Sequence, residues 1–165
     1  MYHVFDDVLT DDQIDKVMYF TENKMAGKPE TLYSPEYASC FEPILNKAGE
    51  CYDLSNTLYY EIWSQKNQRP PEFHTDRDEF LSHLYGIQKY PLCSTIFYLS
   101  VDENLLGGEL LVETPPDSGE HEVIVPKKNR LVLLDPGTVH GVKVFRGSRY
   151  SVVCNPWDRP LSFYA

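Results

Sequence analysis

Nowhere in the chain do two cysteines stand as C-x-x-C; Cys40, Cys51, Cys93 and Cys154 are widely spaced among apolar neighbours. That removes support from zinc-ribbon and thioredoxin-type readings and makes buried free thiols the expectation. No run approaches the roughly 18–20 apolar residues that a membrane-spanning helix needs. The opening stretch MYHVFDDVLTDD is acidic and lacks the basic-then-apolar layout of an export signal, so a cytoplasmic location is expected. Basic residues are scarce and scattered: 15 Lys and Arg stand against 25 Asp and Glu, for a net charge of −10. Such a surface repels a phosphate backbone, which disfavours nucleic acid as a partner. There is no internal repeat, low-complexity run or Pro/Gly-rich linker, so residues 1–165 are expected to form a single domain.

What is present divides the chain in two. The N-terminal part, about 1–56, reads as helical. Thr10-Asp11-Asp12-Gln13 has the form of a capping box, and Ile14, Val17, Met18 and Phe20 follow at helical spacing. A second helix is expected over 40–54, where Phe41, Ile44, Leu45, Ala48, Cys51 and Tyr52 recur with helical period, although Gly49 interrupts it. From about 57 to 157 the pattern changes to short β-branched and aromatic runs: TLYYEIW, CSTIFYL, ELLVE, EVIV, RLVLL, GVKVF and YSVVC. Turn signals separate them, among them Gln68-Arg69-Pro70-Pro71, Gly107-Gly108, Pro136-Gly137 and Arg146-Gly147-Ser148. The connections are too short for crossover helices, so the fold expected is mainly β: an antiparallel sandwich or jelly roll with N-terminal helices on one side.

The chemistry-bearing residues fall in the β part. In an extended Phe73-His74-Thr75-Asp76, residues two apart share a face, so His74 and Asp76 project together and can occupy adjacent corners of a metal's coordination sphere. His140, after RLVLL and the Pro136-Gly137 turn, is the best third ligand. Two histidines and one carboxylate with open positions suit non-haem Fe(II) and O2. H-x-D alone equally suits a solvated turn. Arg149 lies across the turn Arg146-Gly147-Ser148 from His140; a hairpin GVKVF–turn–RYSVV would set it beside the His140 strand, where its guanidinium could pair bidentately with a carboxylate. An exposed edge charge is the competing reading. Ser151, two residues on, faces the same way as Arg149.

The order H74-T-D76 … H140 … R149-Y-S151 resembles the 2-oxoglutarate/Fe(II)-dependent dioxygenase superfamily, most closely its prolyl-hydroxylase-like branch, with the aromatic strand STIFYLS and the turn-strand GGELLVE adding to the likeness over about 57–157. The resemblance implies a double-stranded β-helix (jelly-roll) core. It also implies Fe(II) on His74, Asp76 and His140, and 2-oxoglutarate with its distal carboxylate on Arg149. Tyr98 and Ser151 are candidates to bind the same carboxylate; for Tyr98 the alternative is an aromatic that only fills the barrel. Oxidative decarboxylation of 2-oxoglutarate to succinate and CO2 would be coupled to O2-dependent hydroxylation of an unactivated C–H bond. No catalytic residue beyond the metal ligands is implied, and ascorbate is an optional reductant. A peptidyl prolyl residue is the favoured substrate, beside a free amino acid or another small metabolite. The other classes are a cupin-like metalloprotein, which would have H-x-H where this chain has His74-Thr75-Asp76, and a non-enzymatic jelly-roll metal-binding module. Two departures bear on the substrate: Arg77-Asp78-Glu79-Phe80, which suits a short helix or lid, and the ending Asn155-Pro156-Trp157. Trp63 and Trp157 either line a substrate mouth or pack inside.

Overall fold

The computed structural model of the chain describes residues 1–25, 30–33 (backbone only), 38–66 and 72–161, so the expected turn Gln68-Arg69-Pro70-Pro71 lies outside the described residues. Helix α1 (Asp11–Asn23) starts at the capping box: Thr10 Oγ1 accepts from the Gln13 N–H at 3.2 Å, and the Gln13 side chain accepts from the Thr10 N–H at 2.9 Å. Ile14, Val17 and Phe20 form its buried face. Helix α2 (Glu42–Gly49) follows a single 3-10 turn at Ser39–Phe41, and is shorter at both ends than the expected 40–54. Pro43 belongs in a first helical turn, which sets the start, and the chain leaves the helix after Gly49.

The N-terminal part is not wholly helical. Strands β1 (Tyr2–Asp6) and β2 (Glu30–Tyr33) form the edges of a six-stranded antiparallel sheet with β3 (Tyr59–Lys66), β4 (Ser94–Val101), β8 (Arg130–Leu134) and β11 (Arg149–Trp157), ordered β1-β8-β4-β11-β3-β2. β1 exists because it pairs with β8, Tyr2 opposite Leu134 and Asp6 opposite Arg130, a contact made across most of the chain that local periodicity does not register. The remaining strands form a three-stranded sheet, β7 (His121–Ile124), β6 (Leu110–Glu113) and β9 (His140–Val142), and a short ribbon of β5 (Leu106–Gly107) with β10 (Phe145–Arg146). This is the expected jelly-roll arrangement.

GVKVF does not run as one strand, and the expected hairpin with RYSVV does not form. β9 pairs with β6, β10 with β5, and β11 lies between β3 and β4. The chain changes sheets at Gly147, whose φ of 117° is open to glycine. At Gly107 a side chain is excluded outright, since a Cβ there would sit 2.1 Å from the Val144 carbonyl oxygen.

Strand alternation sorts the main sheet into two faces. Phe97, Leu99, Leu131, Leu133, Val152 and Cys154 pack with Ile14, Val17, Phe41 and Ile44 from the helices. The alternate residues Ile96, Tyr98, Val132, Leu134 and Val153 pack with Leu110, Val112 and Ile124 from the small sheet. The four cysteines are free, Cys93 and Cys154 being buried. Among the described residues no helix is long and apolar enough to cross a membrane.

Candidate metal centre and co-substrate pocket

His74 and His140 are pinned to each other through their backbones. In an isolated antiparallel bridge, the His74 N–H donates to the His140 carbonyl at 3.0 Å and the His140 N–H to the His74 carbonyl at 2.9 Å. The imidazole centroids are 4.5 Å apart. Each ring is oriented by the carbonyl two residues before it: His74 Nδ1 lies 2.7 Å from the Glu72 oxygen and His140 Nδ1 2.9 Å from the Thr138 oxygen. A carbonyl can only accept, so Nδ1 carries a hydrogen, and in the neutral ring Nε2 is then the nitrogen with the lone pair. Asp76 Oδ1 is 3.4 Å from His74 Nε2 and 3.6 Å from His140 Nε2. One ligand atom from each residue falls within 4.8 Å of the others, a spacing that a single cation can bridge.

Burial of the site differs across it. His140 and Asp76 are buried, whereas the His74 side chain retains 36 % exposure, so solvent approaches from the His74 side. Burial pushes the Asp76 carboxyl up, but His74, the His140 charge and the Ser94 hydroxyl outweigh it and hold the group down at about 2. His74 is shifted up, chiefly by Asp76, while burial shifts His140 down. Asp76 is therefore an anion at neutral pH, as a cation site requires.

Asn155 is a member of this centre that the sequence reading missed. Fully buried on β11, it donates from Nδ2 to Asp76 Oδ2 at 3.0 Å. A signal was available: Arg149, Ser151, Val153 and Asn155 alternate onto one face of the strand, so an amide there had to point toward the site.

Arg149 lies on the cavity-facing side of β11 and is 4 % exposed, not an edge charge. Its guanidinium donates to the Gly108 carbonyl at 3.3 Å and to Ser151 Oγ at 3.2 Å, and sits 5.3 Å from the Tyr98 ring centre and 5.4 Å from that of Phe145. Burial lowers its pKa, with Tyr98 opposing. Tyr98 is fully buried, its pKa raised by burial against the pull of Arg149, and its hydroxyl has no hydrogen-bond partner among the described residues. An orphaned buried hydroxyl costs about 1–3 kcal/mol, which an incoming acceptor would recover.

His74, Asp76, His140, Arg149 and Ser151 line one cavity, whose remaining walls are Trp63, Gln65, Ile96, Leu110, Val142 and Val153. The structure thus brings the expected metal ligands and two of the three expected co-substrate residues to one space, with Tyr98 against Arg149. Trp63 is at the cavity, but Trp157 is not a mouth residue. It is fully buried, and its Nε1 donates to Glu61 Oε1 at 3.2 Å. The segment after Asp76 does form a short helix, α3 (Glu79–Tyr85), capped by Asp78 Oδ1 accepting from the Leu81 N–H.

The family profile of the 2OG-Fe(II) oxygenase superfamily matches residues 59–157, which contain every residue of this site. The chain belongs to the 2OG-Fe(II) oxygenase superfamily. It is a dioxygenase domain, and the cupin-like and non-enzymatic readings fall away. Among solved structures this oxygenase is similar to a Pseudomonas putida prolyl-4-hydroxylase, at 14 % identity over 96 % of this chain and 93 % of that one, TM-score 0.68. It is similar to the viral collagen prolyl hydroxylase of Paramecium Bursaria Chlorella virus-1 in its 2OG complex, at 18 % identity over 94 % and 95 %, TM-score 0.61. A Trichoplax adhaerens prolyl hydroxylase in complex with a hypoxia inducible factor peptide fragment is 14 % identical over 95 % and 83 %, TM-score 0.58. At these identities the likeness establishes the shared fold. Compared with curated proteins, the chain has no significant match.

The residues present fit both groups that the family uses. Two neutral imidazole nitrogens and one carboxylate oxygen make a donor set for Fe(II) with open positions. A buried guanidinium beside an orphaned phenol suits a dicarboxylate.

Proposed function

We propose that this oxygenase hydroxylates a prolyl residue in a peptide or protein, with Fe(II) held by His74, Asp76 and His140 and 2-oxoglutarate by Arg149, Tyr98 and Ser151. The observation that carries the assignment is the single cavity in which the triad, Arg149 and Ser151 meet. When bound, iron would activate O2, the oxidant, with two electrons drawn from the decarboxylation of 2-oxoglutarate; the chain supplies placement. His74 and His140 present Nε2 because their Nδ1 hydrogens are committed to carbonyls. Asp76 supplies one anionic oxygen. Arg149 fixes the far carboxylate of 2-oxoglutarate, Ser151 holds the guanidinium in place, and Tyr98 donates its hydroxyl, which has no other partner among the described residues.

What the cavity wall has left over supports the prolyl reading of the substrate. Once those residues are assigned, the other described lining side chains are Trp63, Gln65, Ile96, Leu110, Val142 and Val153. Such walls suit an apolar ring whose amide neighbours lie outside. A free amino acid would need charged partners for its amino and carboxylate groups, and among these described residues only the uncharged Gln65 amide and Trp63 indole N–H remain. Ascorbate as reductant and a cytoplasmic location complete the proposal.

The test is anaerobic titration of the metal-free protein with Fe(II), followed by succinate formation in air with 2-oxoglutarate. Wild type binds iron and forms succinate slowly without substrate. Asp76→Ala loses both; unchanged iron affinity in that variant would sink the triad. Prolyl peptides and free proline are then compared for the mass of one added oxygen atom. Addition to free proline and not to peptides overturns the substrate class.

A further inference from the structure

The two histidines and the carboxylate of the metal centre are oriented in different ways. Each imidazole is fixed locally, by a carbonyl two residues earlier in its own segment. Asp76 is instead tied to Asn155, 79 residues away, on the central strand β11.

The reason Asn155 can reach lies in how β4 and β11 part. Their backbone pairing runs from Arg149 opposite Val101 to Val152 opposite Phe97. Beyond that point side chains replace the ladder. Thr95 Oγ1 donates to the Cys154 carbonyl at 3.0 Å and accepts from the Cys154 N–H at 2.8 Å. The Thr95 N–H donates to Asn155 Oδ1 at 2.8 Å. That last bond decides which way the amide is turned, because only Oδ1 can accept from an N–H. With Oδ1 so committed, Nδ2 must face Asp76, where it meets Oδ2 at 3.0 Å. Asn155 is 0 % exposed, so water does not compete for either bond.

We propose that Asn155 is a positioning residue that holds Asp76 to the metal through one oxygen: by engaging Oδ2 it leaves Oδ1 alone facing the two Nε2 atoms. The role rests on the triad assignment above. A carboxylate with a free second oxygen can rotate and chelate, and chelation would occupy a position that the co-substrate or O2 needs. The Ser94 hydroxyl also bears on Asp76, so losing Asn155 weakens the arrangement without abolishing it. Outer-shell partners of metal ligands are typically worth about 10–100-fold in metal affinity.

The test uses the whole chain and Co(II), whose visible spectrum reports coordination number and whose binding needs neither O2 nor turnover. Asn155→Leu keeps the side chain's size and removes its bond to Asp76. It is expected to bind Co(II) about 10–100-fold more weakly and with an altered spectrum. Thr95→Val is the control for a merely structural role, since it breaks the neighbouring strand contacts to Cys154 without touching Asp76. It is expected to unfold at lower temperature while keeping wild-type Co(II) affinity and spectrum. A folded Asn155→Leu with wild-type affinity and spectrum overturns the role, and so does Thr95→Val changing both to the same extent. If Asn155→Leu does not fold, the same comparison is made with Asn155→Thr, whose shorter side chain cannot reach Asp76. Wild type that binds no Co(II), or Asp76→Ala that binds it as tightly, overturns the triad and this role together. Loss in Asp76→Ala with none in the Asn155 variants overturns the role alone.

Discussion

On the helix side of the six-stranded sheet, Phe97, Leu99, Leu131, Leu133 and Val152 meet Ile14, Val17, Phe41 and Ile44. On the other side the same strands carry Arg149, Ser151 and Asn155 between Tyr98, Val132 and Val153, all buried. A buried polar group costs stability unless it is bonded. The helix side avoids that cost by being almost wholly apolar. The cavity side meets it by pairing its polar groups: Asn155 with Thr95 and Asp76, Arg149 with Gly108 and Ser151. Tyr98, whose hydroxyl has no partner among the described residues, is the exception to that pairing. One face holds the fold together and the other holds the chemistry, and β11 serves both by alternation.

The sharpest way to break this division is a large-to-small change on the helix side. Leu131 is fully buried there. Leu131→Ala is expected to cost about 2–5 kcal/mol by urea denaturation, through lost burial and the cavity left behind. Its metal affinity, measured on the folded fraction, should stay at the wild-type value. A weakened metal site in that variant would mean that the two faces are mechanically coupled.

Much of this division could be read from the chain before folding, because alternation is a local property. His74 with Asp76 and Arg149 with Ser151 each share a face by spacing alone, and the structure bears both pairings out. What escaped were contacts made across the sequence. The strand character of β1 comes from β8 and not from its own periodicity, and the hairpin expected between Arg149 and the His140 strand gives way to a crossing between sheets at Gly147. For Asn155, alternation puts the amide on the Arg149 face, but its partner Asp76 lies on another segment, which spacing does not register. Spacing likewise cannot place Trp157, because its partner, Glu61, lies on β3.

A smaller effect is expected on the cavity side. Arg149→Met keeps the apolar stem against Tyr98 and Phe145 and removes the charge-assisted bonds. The 2-oxoglutarate affinity should fall by about 2–3 kcal/mol, on the order of 100-fold, with metal affinity unchanged. Calorimetric titration of the Co(II)-loaded protein with 2-oxoglutarate measures the first, and titration of the metal-free protein with Co(II) the second. Unchanged co-substrate affinity would pass the role to another basic residue, such as Lys143 or Arg146.

The smallest effect separates two carboxylates held at about the same pKa by different means. Asp76, deep in the cavity, and Asp6, on the edge strand, are both lowered to about 2. For Asp6 the chief cause is Arg130, whose Nε lies 2.7 Å away, with Lys127 adding at 3.3 Å. This pair is partly solvated, so it stabilises the β1–β8 edge by under about 1 kcal/mol. The direction with pH is fixed by linkage. The folded-state pKa lies below the ordinary 3.8, so the contribution is fully present above about pH 4 and is lost as pH falls toward about 2. Asp6→Asn should therefore be slightly less stable than wild type at pH 6, and the gap should close on acidification, with metal affinity at pH 7 the same in both. A gap that persists to pH 2 would assign the effect to hydrogen bonding or packing, and a loss of metal affinity would show that the sheet edge reaches the metal centre.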